Sequence, residues 1–197
     1  MTSVVETLDP PLFLVAMPQV GDPFFHRSLV LLLEHGPDGS FGLIVNRPTE
    51  ILMRDLVDGL GVQWGGDPSS LGWFGGPVQP GVGTMIWGEE GETAEEADLS
   101  SVAFAPRVRL SRDVNVLQQL AVAPPQRFRL FVGYAGWGSG QLEDELERND
   151  WLLAPFDAAL LFASDPEESW RLALASIGVR PEALPTMMTP DDPEQSN

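Results

Sequence analysis

The stretch from Phe128 to Trp151 constrains the fold more than any other part of this chain. It opens as a strand, with Phe128, Leu130 and Val132 on one face and Arg129 and Phe131 on the other. Gly133, Gly136, Gly138 and Gly140 then break the regular backbone, where positive φ or the close approach of another group becomes possible. Leu142 and Leu146, four residues apart among acids, mark a short helix behind the glycines. Strand, glycine-rich turn and helix is the outline of many ligand sites, although these residues alone name no reaction.

The familiar uses of such a turn fail one by one. A dinucleotide fingerprint places Gln141 where its third glycine is needed, and a Walker loop needs a lysine that the chain lacks altogether. Glu143, Asp144 and Glu145 occupy the helix start, where they satisfy the dipole and repel phosphate. Gly138-Ser139-Gly140 has neither the spacing of a nucleophile elbow nor a histidine after it. A packing turn remains, with room for a ligand between Tyr134, Trp137 and the glycines.

Elsewhere the punctuation is that of a small sheet protein. Leu12–Met17 reads as a buried strand and 18–27 as a loop. Residues 28–35 and 40–46 form a β-hairpin around Gly36-Pro37-Asp38-Gly39. Thr49 is expected to cap a helix over 51–60, and 61–71 is a loop. Strands follow at 73–78 and 82–87, then an exposed acidic excursion at 88–98 and a strand at 102–110. Ser111 is the expected cap of a helix over 112–122, with Asp113 in its first turn. The last helix opens at Pro166 and ends at Gly178. With 197 residues, 43% of them hydrophobic, and no internal repeat, the economical reading is one α+β domain over 12–188 between flexible tails at 1–11 and 189–197.

Charge and composition exclude more than they assign. Eleven basic residues, all arginine, face 29 acidic ones, for a formal charge of −18. Codon bias with a solvated acidic surface accounts for this, as does adaptation to high salt. A duplex binder needs a basic stripe, and Arg107, Arg109 and Arg112 are too few to make one, so direct nucleic-acid binding is disfavoured. No apolar run is long enough to span a membrane, and Met1–Pro11 is not a secretory signal. Cysteine is absent, which removes disulfides and thiolate chemistry and fits a cytoplasmic setting. Glu34 and His35 are the one local acid–imidazole pair, but adjacent strand residues face opposite ways. His35 can instead meet Asp22 or His26, although no ligand spacing supports a metal, and no cofactor is expected. Asn46 and Arg47 offer an amide and a guanidinium at a strand end.

Several segments together resemble the bacterial AlgH/YqgE family (UPF0301). They are Ala16-Met17-Pro18, Asp22-Pro23, Phe25-His26-Arg27-Ser28, Glu34-His35, Gly42 to Pro48, Gly75-Gly76-Pro77-Val78, Ser111-Arg112-Asp113-Val114, and Gly133 to Trp137 with Gly140 to Glu143, Asn149 and Trp151. The resemblance spans about residues 12–185 in family order. It implies an α+β fold built on a strongly coiled, barrel-like, mostly antiparallel sheet flanked by helices. It also implies a link to transcriptional regulation, without catalytic residues. Leu33 and Trp87 stand where relatives often carry cysteine and histidine, which argues against a thiol or metal role at those positions. The expected function is binding of a small ligand or a protein partner through Asn46, Arg47, Gly75, Gly76, Tyr134, Trp137 and Gln141. Alternatives are an enzyme using His35 with Glu34 or Asp22 on a nucleotide or small metabolite, and a transcriptional regulator.

Overall fold

The structure, a computed structural model, describes residues 8–89, 100–163 and 165–184. Within them run strands β1 (Leu12–Ala16), β2 (Leu29–Gly36), β3 (Gly39–Ile44), β4 (Pro48–Leu52), β5 (Leu71–Phe74), β6 (Val78–Gly88), β7 (Val102–Ala105), β8 (Val108–Ser111), β9 (Phe128–Gly138) and β10 (Trp151–Pro155). Helices α1 (Met53–Asp58), α2 (Val114–Val122), α3 (Gln141–Glu147), α4 (Ala158–Leu161) and α5 (Pro166–Ser176) flank them. The strands join in the order β10-β1-β2-β3-β9-β6-β8-β7. Off this path, β4 pairs with β5, and β5 runs parallel to β9 at Trp73–Phe131 and Phe74–Val132. The result is one strongly curled, mostly antiparallel half-barrel, the fold class expected from the sequence.

Alternation assigns each strand two faces. Phe13 and Val15, Leu29 and Leu31, Leu43 and Val45, Ile86, Val108 and Phe131 fill one core cluster, closed by Leu160 and Leu161 of α4 and Trp170, Ala173 and Leu174 of α5. Their neighbours Leu14, Val30, Leu32 and Ile44 face the other way, onto α3 through Leu142. Further along that second face, Met85, Trp87 and Leu130 receive Met53 and Val57 of α1 and Val116 and Leu117 of α2.

β9 holds the sheet together, and it changes sides midway. Phe131 packs in the first cluster, yet Ala135, an even number of residues later, packs in the second. Gly133, at φ +70°, inverts the alternation, so that Tyr134 takes over the first face and Ala135 and Trp137 the second. The Gly75–Gly76 segment crosses at this kink. A Cβ on Gly76 would lie 2.2 Å from the Tyr134 carbonyl carbon, and one on Gly133 would lie 2.2 Å from the Gly76 oxygen.

Several local expectations are corrected. Thr49 does not cap a helix; it lies in β4, its hydroxyl donating to Gly72 O at 3.0 Å, and α1 starts only at Met53 after Leu52. A β-branched residue after Pro48 prefers the extended chain, and pairing with β5 rewards it. The cap of α2 is Asp113 rather than Ser111, its carboxylate accepting from Asn115 N at 2.8 Å. Ser111 ends β8 and donates to Ser100 O. The single strand expected over 102–110 is a β7–β8 hairpin turned at Arg107, φ +59°. The strands expected over 73–78 and 82–87 are divided differently: the chain turns at Gly75–Pro77, and the register shift between Val78 and Gly83 is a bulge within β6. The glycines of β9 do not end the strand, which runs on to Gly138. The expected C-terminal tail and most of the N-terminal tail and acidic excursion lie outside the described residues, although Leu8 is already packed in the second cluster.

Candidate functional site

The kink in β9 opens a cleft of about 680 Å³ at the end of the first face, bounded by the β2–β3 turn, β9, the start of β6 and Arg112. Its floor follows from register. Glu34, Phe41 and Gly136 are cross-strand partners in β2, β3 and β9 and therefore share a face. A β-bulge between Leu32 and Glu34 brings Glu34 onto that face. Tyr134 leans against Phe41, with ring centroids 5.1 Å apart, and lies over Gly136, where a Cβ would come 3.1 Å from the tyrosine ring. Above the floor, the Arg112 guanidinium carbon sits 4.3 Å from the centre of the Phe41 ring. Arg112 donates to Thr84 Oγ1 at 3.2 Å, and among the described residues no carboxylate lies within 4.0 Å of it. The Tyr134 hydroxyl likewise makes no hydrogen bond among the described residues.

The opposite face of the same strands carries a polar row. His35, Ser40 and Trp137 are cross-strand partners, and His35 Nδ1 and Ser40 Oγ share a hydrogen bond of 2.8 Å. His35 Nε2 lies 3.8 Å from Glu143 Oε1 of α3. Glu145, two residues further along α3, accepts from the indoles of Trp137 at 2.8 Å and Trp151 at 2.7 Å. Two tryptophans are thereby fixed beneath α3 by one carboxylate.

Of the seven residues expected to converge, the structure places Tyr134 on the floor of this cleft; Trp137 touches its lining but packs its indole on the opposite face, and the other five are not among its lining. Asn46 is buried: its oxygen accepts from Leu29 N at 2.8 Å, and its amide donates to Arg27 O and Pro166 O. That side chain binds β2, the loop before it and the start of α5, which is a structural task. Arg47 donates to His26 O, and burial pushes its guanidinium below the ordinary range while Asp22 draws it back. Gly75 and Gly76 make the backbone crossing described above. Gln141 accepts from Gly138 N at 3.1 Å and donates to Glu145, closing the turn into α3. The His35 partners anticipated from sequence also differ: Ser40 and Glu143 meet it, whereas Asp22 accepts from Phe24 N. Sequence reasoning missed Phe41 and Arg112, because nothing local shows that the β8–α2 junction lies over β3. Among the described residues no three histidine, aspartate or glutamate side chains form a metal-binding group, and no helix is long and apolar enough to cross a membrane.

Comparison with known proteins agrees with this architecture. The AlgH-like family model matches residues 13–182. The chain belongs to the AlgH-like family. A UPF0301 protein of Cupriavidus metallidurans is 39% identical over 170 residues, covering 85% of this chain and 87% of the relative. One from Myxococcus xanthus is 38% identical over 176 residues, covering 88% and 93%. The solution structure of the AlgH protein from Pseudomonas aeruginosa superposes with a TM-score of 0.71 at 31% identity, covering 88% of this chain and 94% of that one. A crystal structure of a Corynebacterium diphtheriae protein shares the fold at a TM-score of 0.69 and 21% identity, covering 85% and 86%. The AlgH-like half-barrel is thus the frame on which the cleft is built.

Proposed function

We propose that this AlgH-like protein acts by binding, and that its mouth cleft takes a small zwitterion with a flat or apolar body, in the class of amino acids and their derivatives. One observation carries the reading: Arg112 and Glu34 meet around Phe41 in the same cleft and do not pair with each other. A ligand carboxylate gains a charge-assisted bond from Arg112, which is exposed, so that the pair is worth up to about 1 kcal/mol. Its ammonium is met by Glu34 or Asp38, both in the lining, and its body by Phe41 and Tyr134. Those same two acids, in a chain of charge −18, disfavour polyanions such as nucleotides. A regulatory role in the cytoplasm then passes through the ligand or a protein partner rather than DNA, because Arg109 is already engaged by Glu89 at 3.3 Å and eleven arginines against 29 acids make no basic stripe.

The test is a thermal-shift panel of amino acids alongside the matching amines and deaminated acids. A ligand at about 100 times its dissociation constant adds roughly 2.7 kcal/mol, or about 5–10 °C for a chain of this size. A zwitterion that stabilises the protein while its amine and acid counterparts do not, and that loses its effect on Arg112→Gln, supports the proposal. Stabilisation unchanged in Arg112→Gln, or a panel flat up to millimolar concentrations, refutes it.

A further inference from the structure

A second cleft, of about 760 Å³, lies where the loop before β5 meets β5, β9 and the Pro124-Pro125 linker. It shares no lining residue with the mouth cleft. Its walls are aromatic and held firmly. Trp64 Nε1 donates to Asp67 O at 2.9 Å, and its ring stands 5.8 Å from that of Phe128. Gly65 N donates to Ala121 O at 2.7 Å, fastening the loop to the end of α2. A Cβ on Gly66 would lie 2.5 Å from the Trp64 ring and 2.7 Å from Pro124, so this wall has no slack. Trp73 of β5 lines the same cleft.

Arg129 also lines it. It is only 4% exposed, with its guanidinium carbon 3.5 Å from the centre of the Trp73 ring. It donates to the carbonyls of Val45 and Ala163 and, among the described residues, has no carboxylate within 4.0 Å. Two carbonyls and an aromatic face use a minority of its five donors and do not neutralise its charge. Among the described residues Arg129 thus has no counter-ion, in a chain where acids outnumber arginines 29 to 11. Burial alone pushes the guanidinium down to about 9.

We propose that this second cleft binds a planar monoanion, an aromatic or heteroaromatic carboxylate, its charge on Arg129 and its ring on the Trp64–Phe128 and Trp73 walls. One guanidinium in a desolvated setting matches one negative charge. A phosphate dianion would leave charge uncompensated, with Asp67 at the rim adding repulsion. The volume suits a ligand of one or two rings. Nothing in this assignment depends on the mouth cleft.

The experiment is calorimetric titration of the full chain with indole-3-acetate and benzoate against their neutral amides, indole-3-acetamide and benzamide. An acid is expected to bind about tenfold or more tightly than its amide, the factor that one charge-assisted contact supplies. Trp64→Ala is expected to weaken that acid about tenfold in a variant that remains folded by circular dichroism, though at a lower urea midpoint because its packing on Phe128 is lost. Arg129→Met is expected to abolish the preference for acid over amide. Should Arg129→Met fail to fold, the acid-to-amide comparison in wild type and Trp64→Ala decides the matter alone. No binding of either acid at millimolar concentration, equal binding of acid and amide, or full affinity in Trp64→Ala would each overturn the assignment.

Discussion

Replacing Gly133 by alanine tests whether the kink in β9 is the element around which this sheet is built. Two costs add at that position. An L-residue at φ +70° costs about 1–2 kcal/mol in backbone conformation alone. The new Cβ would also sit 2.2 Å from Gly76 O and 3.1 Å from Val78 O, both backbone atoms that cannot rotate away. Relief requires the two segments to part by about 1 Å, roughly the shortfall from ordinary van der Waals contact. That movement weakens the bonds from Gly75 N to Val132 O, at 2.9 Å, and from Ile44 N to Gly75 O, at 2.8 Å. Each is worth about 0.5–1.5 kcal/mol, so the total comes to roughly 2–5 kcal/mol. The control is Gly140→Ala, with φ +76° but nothing within 4 Å of the new methyl, which isolates the conformational cost. Urea unfolding followed by circular dichroism is expected to place Gly133→Ala about 1–3 kcal/mol below Gly140→Ala. In heat the gap becomes about 2–12 °C. Equal destabilisation of the two variants would refute the claim that close approach at the crossing, rather than φ, makes Gly133 necessary.

Three further outcomes follow from named contacts. Trp137→Ala removes a ring packed beneath α3 and strands part of Glu145, so it is expected to cost about 3–5 kcal/mol in a denaturant titration; this would mark Trp137 as a structural residue first. Asn46→Ala leaves the buried Leu29 amide unpaired and is expected to cost about 1–3 kcal/mol by the same assay, without touching ligand affinity at the mouth cleft. The hydrogen bond from Asn115 N, joined by one from Ser100, holds the Asp113 carboxyl below the ordinary aspartate range. Its folded value is therefore depressed, and the stability it contributes is complete above the ordinary value and fades as pH falls through the folded one. Asp113→Asn caps without titrating, so the loss of urea midpoint between about pH 6 and about pH 3 is expected to be smaller in that variant than in wild type.

The regular parts of the fold were legible because their signals are local. The unbroken apolar run Leu29–Leu32, the turn chemistry of Gly36-Pro37-Asp38-Gly39 and the proline opening α5 each depend on neighbours a few residues away. The errors fall where a distant partner decides. Thr49 reads as a helix cap until β5 supplies a strand for it to join, and Ser111 reads as a cap until β8 claims it. The glycines of β9 were rightly read as permitting close approach, but only the crossing of Gly75 and Gly76 shows that the approaching group is backbone rather than ligand. The candidate site was legible in part. Tyr134 announced itself by lying beside glycines, whereas Arg112 and Phe41, 71 positions apart in sequence, meet only because the half-barrel curls. Asn46 and Arg47 carry the residue types of a binding site and spend them on the chain's own carbonyls and amides.

The placement of the ligand at the mouth cleft is tested most directly by amide chemical-shift mapping. The uniformly 15N-labelled protein would be titrated with phenylalanine and the other amino acids that stabilise it. The account predicts saturable shifts concentrated in residues 34–41, 78–82 and 134–137, and their disappearance in Arg112→Gln. Shifts confined to the loop before β5 and the Pro124-Pro125 linker, or no saturable shifts with any amino acid, would contradict it.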